Sequence, residues 1–116
     1  MIGTQPFFET TSKPQITPAT DEQILQYLRH SYKFAEIAVS TEREAFILET
    51  CDRLEIQVSD EEWQAGGDAF RIEHKLLDAP KTQNWLAQQR ITVENWSQGI
   101  KIQLLTKKLK EHLFGK

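Results

Sequence analysis

The six residues Val58-Ser59-Asp60-Glu61-Glu62-Trp63 constrain the fold more than any other stretch, because their chemistry stops one long helical pattern and starts another. Serine is favoured just outside a helix, where its hydroxyl accepts a hydrogen bond from a backbone N–H that the first turn leaves unpaired. Glu62, three residues on, completes a reciprocal capping box, and Asp60, Glu61 and Glu62 all suit the positive end of the helix dipole. Val58 before the cap and Trp63 four places after it have the spacing of a hydrophobic staple. The start of a helix, and the angle at which the chain enters it, follow from these residues.

Two further capping signals divide the rest of the chain. Thr20 with Gln23 opens a short helix through about Arg29, with Ile24, Leu25 and Leu28 on its inner face. Thr92 opens the last helix, with Ile91 before it and Trp96 four places after it as a second staple. That helix runs through Ile100, Leu104, Leu105, Leu109 and Leu113 to about Phe114, where Gly115 is a natural stop. Between the first two signals, residues 33–53 carry Phe34, Ile37, Ala38, Thr41, Ala45 and Leu48 at spacings of three and four, with Ile47, Cys51 and Leu54 widening the stripe. No glycine or proline interrupts them, and a helix of about twenty residues spans roughly 30 Å.

Leu54, Ile56 and Val58 alternate with polar residues, which reads as a short extended connector or as the fraying end of the helix before it. The helix opened by Ser59 is expected to reach about Leu77, burying Trp63, Phe70 and Leu77, with Ala69, Ile72 and Leu76 beside them. Gly66 and Gly67 in its middle each cost roughly 1 kcal/mol against alanine, which points to close approach of another helix or to a bend. Asp78-Ala79-Pro80 breaks the pattern, and Thr82 is read as the cap of a short helix holding Trp85 and Leu86 that ends at Gln88-Gln89-Arg90. The fold class is all-α: about five helices, two of them long, and little or no strand. Residues 1–19, with Pro6, Pro14 and Pro18 among polar residues, read as a flexible arm, in which Phe7-Phe8 is an apolar pair; residues 20–116 form one helical domain.

Composition narrows the function. A formal net charge of −3 gives no reason to expect a nucleic-acid partner. Lys101, Lys107, Lys108, Lys110 and Lys116 gather at the C-terminal end, the usual pattern of a solvated helix face. Cys51 is the only cysteine, so an intramolecular disulfide is impossible and a buried inert thiol is expected. His30, His74 and His112 fall on three elements with no i,i+4 pair, and no cofactor or metal site is expected. No phosphate loop or nucleophile-base order is present, so enzymatic activity is not expected. With no signal-like start and no long apolar run, the expectation is a cytoplasmic chain without membrane insertion. Trp63, Trp85 and Trp96 all fall near helix starts; core anchoring accounts for at least two, and an exposed one would line an apolar groove suited to a peptide.

The run LEIQVSDEEWQAGGDAFR, then a short helix, then RITVENW and a basic amphipathic helix ending LLTKKLKEHLF, resembles the helical chaperone region of SurA-type and PrsA-type parvulin foldases. The resemblance covers about residues 20–114 and is strongest at Val58–Glu62. It implies a SurA N-terminal-like helical domain that holds unfolded or precursor polypeptide, within peptidyl-prolyl isomerase foldases linked to peptide maturation or export. The isomerase domain of such proteins has no counterpart here, nor does their secretion signal, so a free-standing module or a piece of a longer foldase is expected, and no catalytic residue carries over.

The expected peptide-binding groove lies between the long helix, through Phe34, Ile37 and Phe46, and the last one, through Ile102, Leu105 and Leu109, with Trp63 and Trp96 as further contacts. The alternative is a self-associating helical scaffold or adaptor, in which the surplus apolar surface is covered in a homodimer.

Overall fold

The computed structural model describes residues 17–115, and these form five helices and no strand. They are α1 (Asp21–His30), α2 (Phe34–Arg53), α3 (Asp60–Glu73), α4 (Ala79–Gln89) and α5 (Val93–Phe114). Residues 1–16, including Phe7-Phe8 and most of the expected arm, lie outside the described residues; Thr17–Ala19 have no regular secondary structure. No helix among the described residues is long and apolar enough to cross a membrane.

Both expected capping boxes form, and the cap expected at Thr92 is a third. The Thr20, Ser59 and Thr92 hydroxyls accept the N–H of Gln23, Glu62 and Asn95, and the side chains of those three residues accept the N–H of the cap in return. The fourth start differs from expectation. Asp78, not Thr82, caps α4: its carboxylate accepts the Lys81 N–H at 2.9 Å, and Pro80 fits inside the first turn, where the missing N–H has no helical partner to lose. Thr82 instead lies within the helix, its hydroxyl donating to the Asp78 carbonyl at 3.1 Å.

Four helices end by one device. Tyr32, Glu55, Lys75 and Arg90 adopt left-handed backbone with φ between 59° and 64°. In each case the next residue donates its N–H to a carbonyl five residues back: Lys33 to Leu28, Ile56 to Cys51, Leu76 to Arg71 and Ile91 to Leu86. This is the paired-bond helix ending in which the residue after the left-handed one packs back on the helix. Three of those four residues are the apolar Ile56, Leu76 and Ile91, of which Leu76 is buried and the other two half-buried. The device also shortens α3: Lys75 turns the chain, the helix stops at Glu73, and Leu77, expected on the buried face, is 64% exposed.

The chain divides into two compact units at Ile37–Ala38. In the first, described from Thr17 onward, the Arg29 guanidinium lies 3.9 Å from the centre of the Phe34 ring. The expected inner face of α1 is largely open: Leu28 is half-buried, but Ile24 and Leu25 are exposed.

In the second unit, Ala38–Lys116, the core is built where α2 ends. Cys51, Leu105 and Leu109 are buried together, with Ile47, Leu48, Ile56 and Val58 packed against them. The connector after α2 thus turns Ile56 and Val58 inward, whereas Leu54, the first of the alternating residues, is exposed. The Cys51 thiol donates to the Leu105 carbonyl at 3.6 Å, and burial raises its pKa.

Helix α3 packs on α5 through its glycines. A methyl group on Gly66 would stand 3.0 Å from Leu104 Cδ1 and 3.1 Å from Ile100 Cγ2; on Gly67 it would stand 3.1 Å from Trp96 Cη2. The close approach expected of this pair is realised, and the two hydrogens are what permit it. Gly99, by contrast, faces open space.

Candidate functional site

A cleft of about 960 Å³ is bounded by α3, α4 and the first half of α5. Phe70 of α3 organises its walls: its ring meets Trp85 of α4 edge-on at 5.3 Å and Trp96 of α5 at 5.8 Å, while His74 stacks on it at 4.0 Å. Aromatic pairs in such offset or edge-on arrangements hold orientation as well as burying area. One cluster thereby sets α4 and α5 against α3.

Apolar side chains dominate the lining. Trp63 and Trp96 stand with Leu86 of α4, Ile91 of the α4–α5 turn and the buried Ile100. Polar groups border it on every wall: Asp60, Gln64, Asp68 and Arg71 on α3, Thr82 and Gln83 on α4, and Ser97 on α5. Arg71 lies 3.5 Å from Asp68, whose same oxygen accepts from the Gln64 amide at 3.1 Å.

The two tryptophans are held differently. The Trp63 indole N–H donates to the Ser97 carbonyl at 2.8 Å, and the Lys101 ammonium lies 4.9 Å from its ring centre. Both partners belong to one face of α5, so Trp63 is clamped across the α3–α5 interface. The Trp96 N–H is buried and meets no acceptor among the described residues. It is oriented by ring packing alone, against Phe70 and Gly67.

A network at the other side of α3 fixes where that helix starts. The Lys108 ammonium donates to Glu62 at 2.7 Å and to the Gln57 carbonyl at 2.7 Å. Its hydrogen bond, with that of the Ser59 N–H, holds the Glu62 carboxyl below the usual Glu value.

The eight residues expected to form a groove are dispersed. Trp63 and Trp96 line the cleft. Leu105 and Leu109 point into the core beside Cys51 and offer no surface to a ligand, because a helical stripe identifies a buried face without revealing whether protein already covers it. Ile102 is half-buried and Phe46 is 62% exposed. Phe34 and Ile37 belong to the first unit, Phe34 half-buried and Ile37 exposed. What the sequence reading omitted is the opposing wall from α4, including Leu86 and Ala87. No periodicity marks that wall, which depends on the reversal at Arg90 between α4 and α5.

Among the described residues, no group of three or more His, Cys, Asp or Glu side chains is placed to hold a metal ion. The chain matches no family model, no curated protein and no solved structure.

Proposed function

We propose that this chain is a non-catalytic, chaperone-like module that holds apolar segments of unfolded or precursor polypeptide in the cleft between α3, α4 and α5. The cleft itself carries this reading: a concavity of about 960 Å³ whose lining includes two tryptophans and aliphatic side chains is suited to burying apolar side chains of an extended or helical segment. The resemblance of residues 20–114 to the helical region of parvulin foldases supports the same reading and suggests the setting, a foldase linked to peptide maturation or export.

The test is fluorescence titration of the full chain with an unfolded polypeptide, using Trp63 and Trp96 as reporters. Ala87 is exposed and lines the cleft, so Ala87→Trp fills the cleft without entering the core. Saturable binding by the native chain, lost in a folded Ala87→Trp variant, is the expected result. Undiminished binding by that variant would remove the cleft from consideration.

A second reading, a self-associating scaffold, is favoured by one observation: Phe46, Ile72, Leu77 and Phe114 are 62%, 67%, 64% and 81% exposed. Light scattering after size exclusion separates the two. A mass near 13.5 kDa at all concentrations, rising only when polypeptide is added, supports the client-binding module; a dimer indifferent to polypeptide supports the scaffold.

A further inference from the structure

Among the described residues of the second unit, every helix buries at least one residue except α4. Of its eleven residues, Thr82, Trp85 and Leu86 are half-buried and the rest are exposed. The reason lies in what the helix faces. Ala79, Thr82, Gln83, Leu86 and Ala87 recur at helical spacing on one side of α4, and all five border the cleft. The face that a short helix ordinarily packs against its neighbours is here turned to the cleft instead.

Fastening is along one edge. Trp85, beside that face and absent from the cleft lining, meets the Phe70 ring edge-on at 5.3 Å and lies 6.1 Å from His74. The Thr82 hydroxyl reaches the Leu76 carbonyl at a long 3.4 Å. The chain enters and leaves α4 past left-handed residues, Lys75 before it and Arg90 after it, at φ of 60° and 59°. A residue with a side chain is strained there, so each site has an ordinary conformation close in energy, and a hinge needs no more than such a change at a few positions. Few buried contacts between two strained ends are the physical conditions for a segment to open while the rest stays folded.

We propose that α4 is a lid on the cleft, turning on Lys75 and Arg90 with the Trp85–Phe70 contact as its latch, and that a bound polypeptide pins it shut. The proposal rests on the cleft being a polypeptide site and adds how that site admits its guest. A segment lying between Leu86 of α4 and Trp96 of α5 supplies the packing that α4 lacks, so binding and closure stabilise each other. The other two walls stay in register while α4 moves, because α3 and α5 are joined at Gly66 and Gly67 and by the Trp63 bond to the Ser97 carbonyl.

The test is hydrogen–deuterium exchange of the full chain, read by mass spectrometry with and without a synthetic leucine- and serine-rich peptide whose binding is followed separately by fluorescence anisotropy. In the free chain, α4 amides are expected to exchange at least about tenfold faster than the central amides of α3 and α5, and saturating peptide should slow them by a similar factor. Trp85→Ala, which releases the latch and leaves the cleft lining intact, should speed exchange in α4 alone. Exchange of α4 in step with α3 and α5 in the free native chain would overturn the lid, as would equal acceleration of all three helices by Trp85→Ala. Peptide binding that leaves α4 exchange unchanged would also overturn it, with the cleft assignment still standing. Fast exchange of α4 with no peptide binding would sink the cleft assignment and the lid's role with it.

Discussion

The Lys108 ammonium lies 2.7 Å from Glu62 Oε1, and that same oxygen accepts the Ser59 N–H at 2.8 Å. One carboxylate oxygen therefore completes a local capping box and ties it to a residue forty-six positions away on α5. A purely local helix-start signal has been made to depend on the tertiary fold.

The pH dependence follows from that arrangement. Glu62 titrates below its ordinary value of 4.5 in the folded chain, first because of the Lys108 hydrogen bond and next because of the Ser59 N–H. A carboxyl whose folded pKa is depressed stabilises the fold fully above the unfolded value, and that contribution is lost as pH falls through the folded one. Urea midpoints of the native chain and of Glu62→Gln should differ at neutral pH and converge as pH drops below 4.5. Because the pair is solvent-facing, added salt should narrow the neutral-pH difference as well.

The glycines of the second unit should respond in opposite directions to the same substitution. Gly99→Ala adds a methyl group in open space within a helix and should raise stability by about 1 kcal/mol. Gly67→Ala gains the same helix propensity but drives a methyl group to 3.1 Å from the rigid Trp96 indole, and overpacking of that kind costs about 1–3 kcal/mol. Chemical denaturation should therefore place Gly99→Ala above the native chain and Gly67→Ala below it.

Replacing each cleft tryptophan by phenylalanine separates their roles. Trp63→Phe loses the bond to the Ser97 carbonyl, whereas Trp96→Phe removes a buried donor that has no partner and whose burial costs about 1–3 kcal/mol. Both variants lose apolar area, so the difference between them reports the N–H groups. Trp63→Phe should be the less stable by at least about 1 kcal/mol in urea unfolding followed by circular dichroism.

The left-handed helix endings provide a route to a more stable chain. Lys75 and Arg90 hold φ of 60° and 59°, a backbone in which a side chain is strained and glycine is not. Lys75→Gly and Arg90→Gly should each stabilise by about 0.5–1 kcal/mol, the relief of strain outweighing the greater freedom of the unfolded chain. Thermal melts of the two single variants and of their combination check this, with additive gains expected for sites this far apart in the fold.

These endings also explain which parts of the structure could be read from sequence. Helix starts were legible because a capping box is two side chains acting on their own backbone within four residues, as at Thr20, Ser59 and Thr92. Ends were legible to within about one residue at His30, Arg53, Gln89 and Phe114; the exception is α3, where Lys75 stands at a position in which glycine would advertise a stop. The overreach of α3 to Leu77 follows directly from the ordinary-looking Lys75. At α4, Asp78 and Thr82 are both acceptable caps, and only the hydrogen bond that the Lys81 N–H donates to the Asp78 carboxylate distinguishes them. For the cleft, Trp63 and Trp96 were recognisable as large residues in need of a setting. Leu86 and Ala87 were not recognisable as their opposite wall, since that depends on a reversal at Arg90 rather than on any periodicity. Leu105 and Leu109 show the converse: their stripe was legible, but Cys51 already covers it.

Gly66 and Gly67 touch Ile100, Leu104 and Trp96, and two of those three also form the interior of the cleft. The width of the cleft is therefore set at the seam on which α5 rests. A larger residue at Gly66 would displace that wall without altering any side chain of α4 opposite it, whereas one at Gly67, which itself lines the cleft, would also change the lining. Two adjacent hydrogens thus act as a gauge of the aperture.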